Sequence, residues 1–336
     1  MNIRNICHHT LPYFFASIGL LGIYLGGAYQ GLGIGVIFIV HPLFDFILTK
    51  AFGEIKSNPS PPSNFSLYLW PLFQTSLIFS ALYFLSLESS TGFQILGAIS
   101  LGIITGGFGI TISHEFIHRP NKWEIGFGVF LLSQVSYSVF RIEHVFGHHR
   151  KVATPDDPAS AKKGETIYGF IPKAIVKTYI SALELENRFI KKKGHPFYYH
   201  RFLHYFLLQL FWLVLIYFIF GINGMLLFLV QSLMAIILLE LIDYIEHYGL
   251  QRKEISPGKY QPVGPEHSWD TNFFLTNTSL FNLGKHAHHH QKAGVPYQKL
   301  TSTPTANQYP FGYSWAIILS LIPPLWFSMI HPRLKS

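Results

Sequence analysis

Histidine is the residue type in this chain with the most chemistry to offer, and it is clustered. The stretch EHVFGHHRKVATPDDPASA carries His144, His148 and His149, three imidazoles within six residues. His144 and His148 are four residues apart, so an α-helix would project both from one face. HEFIHR places His114 and His118 one helical turn apart with Glu115 between them; His247 stands alone in IEHYGLQR; KHAHHHQ supplies His286, His288, His289 and His290. Burying imidazoles among apolar segments is costly unless they coordinate or hydrogen-bond something. HExxH alone is the zinc metalloprotease pattern, with Glu115 as base, and a tri-histidine run alone is often a surface metal scavenger. A zinc protease needs three protein ligands, which leaves six or more grouped histidines idle. So many imidazoles at these spacings are too many for one ion and about right for two. Imidazole suits Zn, Cu, Fe and Ni alike, so ligand type leaves the metal open. His41 and His204 read as hydrogen-bonded residues at a membrane interface, and His267 as a non-ligand.

The elements that must position these groups are apolar. Of 336 residues 49% are hydrophobic and 12% charged, against roughly 25% charged in a soluble domain. That composition points to an all-α integral membrane protein. The single cysteine, Cys7, excludes a disulfide framework, a thiolate zinc site and a cysteine-ligated iron–sulfur cluster. The N-terminus shows no charged region followed by a cleavage site. Six stretches approach the roughly 20 residues needed to cross hydrocarbon: 11–29, 32–48, 67–87, 93–113, 204–220 and 224–244. Short joints at 30–31, 88–92 and 221–223 make three tight hairpins. All 25 Lys and Arg residues fall away from those tips, which predicts that both termini and the segments 114–203 and 245–336 are cytoplasmic. Phe127–Phe140 is too short to span and reads as an interfacial or re-entrant helix. Lys191–Lys193 reads as a solvated turn near lipid headgroups, and Asn58-Pro-Ser-Pro-Pro as a loop. No linker divides residues 1–336 into more than one domain.

Taken together, these motifs resemble those of the integral-membrane non-haem di-iron alkane monooxygenases, relatives of xylene monooxygenase and of membrane fatty-acid desaturases. HEFIHR is similar to that family's first histidine box. EHVFGHHRKVATPDDPASAKKGETIYGF resembles its second box with a tail that desaturases lack, and IEHYGLQR its HYG motif. PEHSWDTN followed by FNLGKHAHHH resembles the approach to its third box. The resemblance implies iron ligands at His114, His118, His144, His148, His149, His247, His286, His289 and His290. It implies supporting carboxylates, which orient imidazole N–H groups, among Glu115, Glu143, Glu246, Asp156, Asp157 and Asp270. A position influencing chain length falls near Ile37. The implied activity is hydroxylation of a terminal C–H of a hydrophobic substrate, an n-alkane, to a primary alcohol, using two Fe ions and O₂. Lacking a flavin or nicotinamide fingerprint, the chain would draw electrons from rubredoxin and its NAD(P)H-dependent reductase, at a bacterial cytoplasmic membrane. A xylene-type or lipid hydroxylase or desaturase is the rival within the superfamily; a zinc protease or a histidine-rich metal transporter is the rival outside it. The chain departs from the family pattern at His288, Gly284, Lys285, Asp243 and Asp270, and an extra imidazole at His288 could compete for metal.

Overall fold

A computed structural model of the chain describes residues 3–57 and 64–334; the proline-rich loop expected at 58–62 lies outside the described residues. Four apolar helices come first: α1 (Ile3–Leu25), α2 (Gly27–Phe52), α3 (Phe65–Leu87) and α4 (Thr91–Ile117). Three further helices follow: α5 (Lys122–Ser133), α6 (140–151) and the 27-residue α7 (Ile167–Lys193). The 47-residue α8 (Arg201–His247) is the fifth helix long and apolar enough to cross a membrane. The six expected stretches map onto these five helices, because 204–220 and 224–244 are two arms of α8. Gly221, at φ 68°, is the non-helical residue between the arms, a conformation that glycine tolerates without steric penalty. Trp212 of the outgoing arm bonds Ser133, and Asn223 bonds Gln94 at the far end. The second arm then runs back beside α4, with Gln231 donating to Thr105.

The three hairpin tips meet at the end of the bundle remote from the histidines. Glu88 accepts hydrogen bonds from the Gly27 amide and the Gln30 side chain, while Gln94 donates to the Glu88 carbonyl. Along the bundle α4 and the returning arm of α8 touch backbone to backbone. A Cβ on Gly102 would stand 2.5 Å from the Gln231 carbonyl oxygen, and one on Gly106 would stand 2.9 Å from Ala235 Cα. Small residues permit such close approach between apolar helices, where lipid offers no competing hydrophobic drive.

Two elements differ from the sequence expectation. The expected helix 127–140 begins earlier and stops at Ser133, because Asn121 caps its N-terminus and the chain turns through Ser136 at φ 54°. It packs against α3, α4 and α8. Lys191–Lys193 is no turn but the last turn of α7, closed by left-handed Gly194. α7 buries Phe170, Ala174, Thr178 and Ala182 and exposes Tyr168, Val176 and Ile180, the one-sided pattern of an interfacial helix.

After α8 come the antiparallel strands β1 (Glu254–Ser256) and β2 (Lys259–Tyr260), then β3 (Trp269–Asp270), which pairs in parallel with β4 (Asn307–Gln308). The short helices α9 (Phe274–Ser279) and α10 (His286–Gln291) lie between β3 and β4; α11 (Tyr313–Ser320) and α12 (Pro323–Ile330) follow. Trp269, Tyr309 and Trp326 form the buried aromatic floor under this region.

Candidate metal centre

Four elements, α4, α6, α8 and α10, contribute to two imidazole groups. His114 and His118 from the end of α4, His144 and His149 from α6, and His289 from α10 form the first. His148 from α6, His247 from the end of α8, and His286 and His290 from α10 form the second. Within each group the ligand atoms lie within 4.8 Å of one another. The nine histidines singled out from the sequence are thus brought together, as five and four.

α6 divides its histidines in a way the α-helical reading misses. His144–His148 is a π-helical turn. Bonding from i to i+5 aligns residues five apart rather than four, so His144 and His149 share the first group while His148 faces the second. A second π-helical turn, Thr105–Ile110, lies just before His114.

The inward nitrogens show what the groups are built to hold. His148 Nδ1 lies 3.0 and 3.1 Å from the two Asp157 oxygens, and His247 Nδ1 lies 3.1 Å from the His267 carbonyl. These acceptors assign the N–H to Nδ1. A neutral imidazole has one N–H, so both Nε2 atoms carry lone pairs. They face His290 Nε2 at 3.3 Å and His286 Nε2 at 3.1 Å, and those two stand 2.9 Å apart. In the first group His144 Nε2 lies 2.9 Å from that of His114 and 3.1 Å from that of His149, which is 3.1 Å from His289 Nε2. His118 Nε2 is buried with no hydrogen-bond partner. So many ring nitrogens turned toward one another, with the lone pairs of His148 and His247 aimed inward, form a donor set suited to a cation. An all-nitrogen set fits a first-row transition metal.

The carboxylates play distinct parts. Asp157 holds His148. Burial alone would raise the Asp157 carboxyl, but His148 and Ser160 outweigh it and keep the group below its ordinary value. Burial likewise would lower His148, and the Asp157 charge outweighs it. Glu246 accepts from the Tyr313 hydroxyl at 2.8 Å, and its other oxygen lies 3.3 Å from His286 Nε2. It therefore reaches the inward face of the second group rather than an outer N–H. Glu143 is buried and accepts from Ser181. Glu115 is bound by Arg119 and by the Tyr297 amide, which ties the first histidine pair to the segment after α10. Asp270 accepts from the Ala287 amide and so caps α10. Of these six, only Asp157 accepts a hydrogen bond from an imidazole among the described residues; Glu115, Glu143 and Asp270 are held by other partners, and Asp156 is exposed.

The departures also find places. His288 lies outside both groups, its Nδ1 accepting from the Thr301 amide at 3.0 Å, so it does not compete for metal. Gly284 sits where a Cβ would come within 2.8 Å of the Thr271 carbonyl oxygen. Lys285 is fully buried and donates to the Thr271 carbonyl and Asn272; burial takes its ammonium down to about 7. Asp243, noted in the sequence only as a departure, lines a narrow cavity with His114, His144, Glu246 and His286. Its position four residues before His247, on the same helical face, was the available signal. Tyr313 and the His267 carbonyl carried none.

This geometry matches what comparison with known proteins finds. Residues 90–326 match the family model described as fatty acid desaturase. Alkane 1-monooxygenase 2 of Pseudomonas aeruginosa is 35% identical over 96% of this chain and 92% of its own length. Alkane 1-monooxygenase 2 of Alcanivorax borkumensis is 35% identical over 89% of this chain and 81% of its own. The chain belongs to the fatty acid desaturase family, among its alkane 1-monooxygenases. It is accordingly an oxidoreductase. The xylene/toluene monooxygenase hydroxylase component of Pseudomonas putida is 28% identical over 97% of this chain, a weaker likeness than the alkane 1-monooxygenases show. Membership also agrees with the use of Glu115: a base in a zinc protease must face metal-bound water, whereas this carboxylate is occupied by Arg119 and Tyr297.

Proposed function

We propose that the protein is a di-iron monooxygenase, a single integral-membrane domain that converts an n-alkane to a primary alcohol. The observation that carries this reading is the pair of imidazole groups opening onto a cavity with Ile110, Phe140, Leu239, Ile242 and Leu283 in its wall. His114, His118, His144, His149 and His289 would hold one ion, and His148, His247, His286 and His290 the other. When bound, the two irons supply the activation of O₂. The overall change is R–CH₃ + O₂ + 2 e⁻ + 2 H⁺ → R–CH₂OH + H₂O.

The chain's own residues do the rest. Asp157 and the His267 carbonyl orient His148 and His247, and Asp270 positions α10. Phe140, Ile242 and Leu283 keep water from the reacting carbon. Asp243 and Glu246 place negative charge beside positively charged ions held by neutral ligands. Ile37 lines a second apolar cavity that shares a wall with the first, which supports a place for it along the substrate path. The one-sided distribution of Lys and Arg supports a cytoplasmic position for the histidine end and both termini at a bacterial inner membrane. That basic face suits an acidic electron carrier, which we take to be rubredoxin, reduced by an NAD(P)H-dependent reductase.

The test is metal analysis of the purified protein together with product identification from cells given alkanes, xylenes and fatty acids. Two irons per chain and terminal alcohols from alkanes are expected. One zinc, or alcohols from the other substrates alone, would overturn the reading.

A further inference from the structure

Two narrow cavities, each lined in part by α4 and the returning arm of α8, meet at one shared residue. The first, about 20 Å³ on a measure in which one water needs roughly 10–15 Å³, touches His114, His144 and His286. The second, about 30 Å³, runs toward Ile37 and Ile317. Neighbouring residues serve opposite cavities: Gly106 and Leu239 line the first, Gly107 and Leu238 the second. Ile242 alone lines both.

The second cavity has no polar group to offer a ligand. Its wall contains His41, Ser279, Ser314 and Tyr313, but Ser314 Oγ and Ser279 Oγ lie 3.1 Å from the two ring nitrogens of His41, and the Tyr313 hydroxyl donates to Glu246. These atoms satisfy one another. What the cavity can take is hydrocarbon. A chain whose terminal carbon reaches the histidines must lay its remaining carbons past Ile242, because the first cavity alone has room for little more than the reacting end.

We propose that Ile242 is the gate that sets how long a chain the site accepts. The inference rests on the hydrocarbon substrate proposed above and adds the residue that selects within that class. Removing the side chain joins the cavities, and filling the second cavity from its opposite wall shortens the path. Gly107 gives that second handle: a Cβ there meets Leu238 Cδ2 at 3.8 Å, ordinary contact, so Gly107→Val narrows the space without forcing backbone apart.

The experiment compares the parent, Ile242→Ala and Gly107→Val across a graded series of n-alkanes with two readouts. One is thermal stabilisation of the purified, iron-loaded protein by each alkane; the other is alcohol formed by cells. Ile242→Ala is expected to raise the long-chain to short-chain ratio about 10-fold or more, and Gly107→Val to lower it, the size of effect a methylene-scale change in an apolar pocket produces. A shift in stabilisation without any alcohol leaves the gate standing and sinks the hydroxylation proposal. Alcohols in an unchanged chain-length profile, or a uniform loss at every length, overturn the gate.

Discussion

Asp157 does for His148 what a backbone carbonyl does for His247: it accepts the Nδ1–H hydrogen bond and turns Nε2 inward. The two differ in how they respond to mutation, since only the first is a side chain. Asp157→Asn keeps the shape and loses the charge, so affinity for the second metal should fall about 10–100-fold, measured as iron retained against a graded chelator. His288→Ala supplies the contrast. Its imidazole is turned to Thr301, and iron content of that variant should equal the parent's; a loss would place His288 back among the ligands. Gly284 shows that a departure from the family pattern can be packing rather than chemistry, because Thr271 and Asn277 close around its Cα.

At the scale of elements, the two π-helical turns decide the register of the site. The turn at His144–His148 sends consecutive histidines to different metal groups, and the turn at Thr105–Ile110 carries Gly106 and Gly107 to different cavities. π-turns are rare and concentrate at functional sites. α4, which carries the second of these turns, meets the returning arm of α8 backbone to backbone at Gly102 and Gly106. Gly106→Val would push a branched side chain against Ala235 backbone 2.9 Å from the Cβ position. Overpacking of this kind costs about 1–3 kcal/mol, and a lowered Tm in detergent is the expected result. An unchanged Tm would show that α4 and α8 separate freely.

The molecule as a whole gathers its titrating groups at one end. Burial, and then neighbouring imidazoles, hold His144, His149, His286, His289 and His290 well below their ordinary value of 6.5. The folded metal-free protein therefore binds fewer protons than the unfolded chain once pH drops below 6.5. Stability then falls with falling pH, each group contributing at most about 1.4 kcal/mol per pH unit. Metal binding sharpens the same trend, since protons compete for the ligand nitrogens. Unfolding of the chelator-treated protein between pH 7.5 and 5 tests the sign, on the order of several groups titrating together: a Tm flat across that range would contradict the burial.

How the chain presents these groups was partly legible in advance. Composition and apolar run length are local properties, so the sequence by itself determined a helical membrane protein and the hairpin tips, while the resemblance of its motifs to a known family picked out the nine histidines. It did not show that Phe127–Phe140 ends early or that Lys191–Lys193 closes a long helix, because caps and tertiary partners set those limits. The pairing of each histidine with its group, the retreat of Asp156 to the surface, and the meeting of two cavities at Ile242 belong to the tertiary structure alone. Each depends on residues far apart in the chain, or on a backbone register that a pattern of spacings cannot distinguish from an ordinary α-helix.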